Sequence, residues 1–131
     1  MLHQIYELDK KIKNYFKEYS FHKLYKDLLN FCSQDLSAFY FDIRKDTLYC
    51  DGKNSQTRIA CINFLNVLLE TLLKWFAPIL SFTTEEIYKI INKDETDSIH
   101  LKNFPTIPQT WQNDKLFERW NKLNYIRQVC N

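Results

Sequence analysis

Along most of the chain, apolar residues recur every three or four positions and short polar stretches separate these runs, the pattern of helices joined by links. Ile5, Leu8, Ile12, Tyr15 and Tyr19 mark a first helix over about residues 3–16, with Lys10, Lys11, Lys13 and Lys17 elsewhere around it. Ser20 is the expected N-cap of a second helix, whose inward stripe is Phe21, Leu24, Leu28, Phe31 and Cys32. Residues 35–50 fit two patterns at once: Phe39, Phe41 and Ile43 alternate as in a strand, while Phe39 and Ile43 also fit one helix turn. We read this segment as a short helix. DGKN, residues 51–54, is a turn.

The longest apolar run, residues 59–80, carries Asn63, Asn66, Glu70 and Lys74 on one narrow helical face and is apolar elsewhere. That pattern predicts the central helix of a soluble bundle, not a membrane span. It starts with Asn54 or Ser55 as cap and stops before Pro78, which lacks an N–H and restricts Ala77. Thr83 and Glu86 are spaced as a capping box, so a further helix is expected from Thr83 to near Asn92. Residues 93–111, with Pro105 and Pro108 and no helical period, read as an ordered, mostly extended connection. Asn113 or Asp114 then caps a last helix with Leu116, Trp120, Leu123 and Ile126 inward. No stop signal follows it, which reads as an excised piece of something longer.

The fold class expected is therefore all-α: about five helices, with an extended connection before the last, in one domain over residues 1–131. A length of 131 residues suits one domain with its own core. A single Gly leaves too few positive-φ turns for a hairpin-built β fold and excludes glycine-rich phosphate loops. The net charge is only +2, but it is unevenly spread. Residues 1–26 hold six Lys against three acids, residues 98–131 hold five Lys or Arg against two acids, and residues 81–97 hold five acids against two Lys. Two basic ends around an acidic middle suit a one-sided electrostatic footprint, and equally a set of solvated helix faces.

Catalytic chemistry is not legible. His3, His22 and His100 lie far apart with no nucleophile or carboxylate in a recognised arrangement. Cys32, Cys50, Cys61 and Cys130 have no metal-ligand spacing and read as buried thiols of a cytoplasmic protein, so neither a metal site nor a catalytic residue is assigned. No secretory signal opens the chain.

The run FHKLYKDLLNFCSQDLSAFYFDIRKDTLYC, followed by SQTR and by LLKWFAPILSFTTEEIY, resembles the anticodon-binding helical domain of bacterial-type isoleucyl-tRNA synthetases. The pieces LSAFY and KDTLY are the most specific, because the valyl, leucyl and methionyl families share the APILSFTTEE type of helix end without them. SIHL and the FP at Phe104 and Pro105 also fit, and the resemblance runs from about Tyr19 to Val129. It implies a domain that docks on the anticodon stem and loop of isoleucine tRNA. It also implies a parent enzyme whose catalytic domain, with HIGH and KMSKS motifs for ATP and Mg²⁺, its editing insertion and often a zinc-binding C-terminal module lie outside these residues. This piece would then hold no cofactor, neither activate isoleucine nor edit valine, and act as a monomer in the cytoplasm. Thr47 stands where family members often carry a basic residue, so one phosphate contact is not carried over.

RNA recognition of this kind needs cations for phosphates and planar groups for unstacked bases. The candidates are Arg44, Lys45, Lys53 and Arg58 around the turn, Arg119, Lys122 and Arg127 on the last helix, and Tyr49 and Trp111 as stacking platforms. The competing reading is a helical protein-interaction domain that docks through its Lys-rich first helix and its last helix; the equivalent domain of a valyl, leucyl or methionyl enzyme is a further alternative.

Overall fold

The computed structural model describes residues 1–93 and 96–130 and is predominantly helical, with no strand among the described residues. Six α-helices follow in order: α1 (Leu2–Lys17), α2 (Phe21–Asn30), α3 (Asp42–Tyr49), α4 (Gln56–Phe76), α5 (Ser81–Asn92) and α6 (Asp114–Cys130). Between α2 and α3 the chain stays helical over Phe31–Phe41, but with the wider π pitch. Two compact units emerge: Met1–Asp27 with Thr106–Asn131, and Leu28–Pro105.

In the first unit, α1 buries Ile5, Leu8 and Ile12 at the expected helical spacing. Tyr15 donates its hydroxyl to Asp27 at 2.9 Å, which ties α1 to the next helix. α1 closes with Tyr19 in the left-handed region at φ 55°, the Ser20 N–H on the Tyr15 carbonyl and the Tyr19 N–H on the Phe16 carbonyl. That is a Schellman end with tyrosine where glycine is usual, as befits a chain with one glycine. Tyr19 and Phe21, expected inward, are exposed as a result.

Asn113 is the cap of α6: its Oδ1 accepts from the Leu116 N–H at 3.0 Å. The inward stripe expected on α6 is not observed. Leu116, Leu123 and Ile126 are 59%, 58% and 56% exposed, and the more covered face is Phe117, Trp120, Asn124 and Arg127. The reason is the phase set at the start of the helix. The Asn113 N–H donates to His3 Nδ1 at 2.9 Å and the Phe117 ring lies 4.6 Å from the His3 ring, so Phe117 and not Leu116 faces α1.

In the second unit, the path from α2 through the π turns into α3 does not break, because Asn30 and Asp42 both keep right-handed helical dihedrals. Phe31, Leu36 and Tyr40 are buried at spacings of five and four, wider than the α period and suited to i→i+5 turns. This extends the short helix read over residues 35–50, and it explains why the helical and strand periods each fitted only part of that segment. Tyr40 packs on Phe64 of α4 at 4.9 Å and meets the Cys61 thiol at 3.8 Å. Burial first, and then that thiol contact, push the Tyr40 hydroxyl up to about 12.

α4 begins as expected, with Ser55 Oγ accepting the Arg58 N–H at 3.5 Å, and ends just before Pro78. By length and composition alone it is long and apolar enough to cross a membrane. It buries Cys61, Leu68, Thr71 and Trp75 along one side and packs against α3 and α5. Of the four cysteines, Cys61 is buried, Cys32 half-buried, and Cys50 and Cys130 exposed, so the all-buried reading holds for one of them.

The capping box at Thr83 and Glu86 does not form. Bonds from the Ile79 and Leu80 N–H groups to the Phe76 carbonyl carry the chain into α5 two residues earlier, at Ser81. The Thr84 hydroxyl, now inside the first turn, donates back to the Leu80 carbonyl at 2.9 Å. Beyond α5 the expected extended connection contains two short 3₁₀ turns, Ile99–Leu101 and Gln109–Trp111; Asp94 and Glu95 within it lie outside the described residues. Its early part is clamped to α5: Glu85 Oε2 accepts from Ser98 Oγ at 2.8 Å and from the Ile99 N–H at 3.1 Å, and Tyr88 donates to Asp97 at 2.8 Å.

Candidate nucleic-acid interface

The five candidates around the central turn share the second unit. α3 delivers Arg44, Lys45 and Tyr49, the turn carries Lys53, and the first turn of α4 carries Arg58. Tyr49 stands open, 86% exposed at the last position of α3. Lys53 is exposed and makes no ion pair among the described residues. Lys45 pairs with Asp42 one turn back at 3.1 Å, with both side chains about half exposed; such a pair is weak in water and readily exchanged for a phosphate.

The two arginines are less free. Arg44 is half-buried beside the Tyr40 hydroxyl, and its Nε is buried without a hydrogen-bond partner. Arg58 is half-buried and donates through Nε to the Leu48 carbonyl at 3.1 Å. That carbonyl is one of those left open at the end of α3, and a cation there is favoured by the helix dipole. The turn between them is tied internally: Ser55 Oγ donates to Asp51 Oδ2 at 3.0 Å, and the Ser55 N–H donates to the Gly52 carbonyl at 2.9 Å.

The other four candidates belong to the first unit. Arg119 and Lys122 are exposed on α6, Arg127 lies on the more covered face of that helix, and Trp111 is half-buried in its 3₁₀ turn. The sequence therefore marked two groups, one in each unit.

Elsewhere in the second unit, a concavity of about 540 Å³ opens between α4 and α5 over Leu69, Leu73 and Ile91. Its two lysines are committed: Lys74 to Glu70 at 2.6 Å and Lys102 to Asp97 at 2.8 Å. Charge is balanced there, whereas the α3–α4 turn leaves Lys53 without an ion pair among the described residues. Among the described residues no three His, Cys, Asp or Glu side chains converge as metal ligands. Glu85, to which the sequence analysis assigned no role, holds Ser98 and Ile99 of the returning chain against α5. Its signal was present in the serine thirteen positions on, but only the returning chain brings the two together.

Comparison with known proteins adds to this geometry. The model of a family described as the anticodon-binding domain of tRNA ligase matches residues 1–131. A protein named isoleucine–tRNA ligase from Pelagibacter ubique (strain HTCC1062) is 60% identical over 131 residues, which are 100% of this chain and 14% of that protein. One of the same name from Agrobacterium fabrum (strain C58 / ATCC 33970) is 43% identical over 129 residues, 98% of this chain and 13% of that protein. Another, from Methylacidiphilum infernorum (isolate V4), is 43% identical over 125 residues, 95% of this chain and 14% of that protein. The chain thus spans about one seventh of the length of these relatives. No solved structure matches it.

Proposed function

Because the chain belongs to the anticodon-binding domain family of tRNA ligases, we propose that it holds the anticodon stem and loop of an isoleucine tRNA for a parent isoleucine–tRNA ligase. The observation that carries this reading is the full-length family match together with relatives that share the isoleucine name. The α3–α4 turn supplies the means. Lys53 and Lys45 neutralise phosphates, the exposed Tyr49 ring meets an unstacked loop base, and Arg44 and Arg58 stand behind them. Arg119, Lys122, Arg127 and Trp111 form a second group of contacts.

The work of this chain is positional. Recognition here presents the acceptor end of the tRNA to a catalytic domain elsewhere in the parent, which uses ATP and Mg²⁺ to join isoleucine to it and in some members carries a zinc module. On this reading the parent acts as a monomer in the cytoplasm, with α4 as the core helix of its unit and not a membrane anchor.

Binding of a labelled anticodon stem-loop of isoleucine tRNA, and of the same hairpin with its anticodon changed, at two salt concentrations tests the reading. Tighter, salt-sensitive binding to the cognate loop is expected, and Lys53→Ala should reduce the salt slope by about one unit without altering loop preference. Absence of binding at low salt refutes RNA docking and favours a protein-interaction role.

A further inference from the structure

We propose that Arg58 serves RNA binding as a positioning residue and not as a phosphate contact: its Nε clamps the last turn of α3 to the first turn of α4 and thereby sets where Tyr49 and Lys53 stand. The proposal rests on the reading of this turn as RNA-facing.

The geometry is local. At the end of α3 the Cys50 N–H returns to the Asp46 carbonyl at 2.8 Å, and the Leu48 carbonyl receives Arg58 Nε at 3.1 Å. Tyr49, the next residue after Leu48, has an open ring with its backbone between these two anchors. On the α4 side, the Arg58 N–H is held by Ser55 Oγ, the same hydroxyl that donates to Asp51. Leu48 and Arg58 therefore close a loop of chain that contains Tyr49, Lys53 and the turn. An exposed aromatic ring and an unpaired lysine each lose freedom on binding, and a turn ordered beforehand lowers that cost. A guanidinium that is half-buried and already donating inward is placed to supply this order, while the charge that reaches solvent is that of Lys53.

Two substitutions separate the roles, because they divide what arginine does. In Arg58→Gln the amide nitrogen is bonded to Cδ, the position that Nε occupies in arginine, so the donor to Leu48 is kept and the charge is lost. In Arg58→Lys the charge is kept, but a methylene stands where the donor was.

The experiment measures hairpin binding against salt for the wild type, both variants, Arg58→Ala and Tyr49→Ala. It also measures amide hydrogen exchange at Cys50 and Ser55 in the free chain. The expected result is that Arg58→Gln keeps wild-type affinity and salt slope, with slow exchange at both amides. Arg58→Lys and Arg58→Ala should bind about three- to tenfold more weakly and exchange faster. The reverse, with Arg58→Lys like the wild type and Arg58→Gln losing about one unit of salt slope, would make Arg58 a phosphate contact and overturn the proposal. Wild-type binding in all three Arg58 variants would overturn it as well. If the wild-type chain fails to bind the hairpin, or Tyr49→Ala binds as well as the wild type, the RNA reading of the turn fails and the positioning role with it, while the exchange data still report on the clamp.

Discussion

The N–H of Asn113 donates to Nδ1 of His3 at 2.9 Å, across 110 residues of chain. A backbone amide can only donate, so this imidazole carries its proton on Nε2 and presents the Nδ1 lone pair inward. Asn113 is also the cap of α6, and the next turn brings Phe117 against the same ring. One histidine on α1 therefore meets both the cap residue of α6 and the Phe117 ring on its more covered face.

Removing that acceptor breaks a part-buried hydrogen bond, at a cost of about 0.5–1.5 kcal/mol. His3→Ala should lower the stability of the chain in denaturant by an amount in that range and speed hydrogen exchange at Asn113. Unchanged exchange there would show that the bond contributes nothing in solution.

The phase of α6 makes a second prediction that inverts the sequence pattern. Phe117→Ala should destabilise by on the order of 2 kcal/mol, because a ring packed on His3 is lost. Leu123→Gln, on an exposed position, should stay within about 0.5 kcal/mol. Urea denaturation of the two variants reads the difference directly. A larger cost at Leu123 would mean that this face is the covered one.

The clamp on residues 97–102 should be acid-sensitive. The hydrogen bond from Ser98 foremost, with the Ile99 N–H and Lys89 in support, holds the Glu85 carboxyl below the ordinary glutamate range, and Lys102 foremost, with Tyr88, does the same for Asp97. A carboxyl with its folded value depressed contributes stability that is fully present above its unfolded pKa, about 4.3 for Glu and 3.9 for Asp, and is lost as pH falls through the lower folded value. The Ile99 amide should be protected at pH 7 and lose protection progressively below about pH 4. Glu85→Gln should weaken protection at neutral pH and flatten its pH dependence. Full protection in that variant at every pH would remove Glu85 from the clamp.

Gly52 has no positive φ, and a Cβ built on it meets nothing within 4 Å. Its flexibility is therefore a cost in the unfolded state with no return in the folded one. Gly52→Ala should stabilise the chain by about 0.4–1 kcal/mol and leave the turn unchanged. A loss of stability would show that the turn samples a conformation that only glycine allows.

How far the sequence could be read is clearest at the helix ends. Ser55, Pro78 and Asn113 act over three or four residues, through a cap or a missing N–H, and each bounds its helix as its chemistry dictates. Thr83 and Glu86 had the right spacing for a cap and failed, because the turn at Pro78 brought the chain into α5 before the box could form. Residues 31–41 resisted because a π pitch repeats near neither 3.6 nor 2, the two periods that a pattern search can weigh. At the α3–α4 turn the cations were legible as residue types. That Arg58 spends its Nε on a carbonyl ten residues earlier was not, since a carbonyl has no letter in a sequence.

Fold class, the approximate placement of most helices and membership of the family were present in the string of residues, because periodicity, caps and motif wording are local properties. Which face of α6 is covered, that Glu85 and not Glu86 holds the returning chain, and that Tyr49 stands open while Arg58 is engaged follow from contacts between residues ten to more than a hundred positions apart. Such contacts exist only once the chain has folded, because it is folding that sets the partners and the geometry of each donor and acceptor.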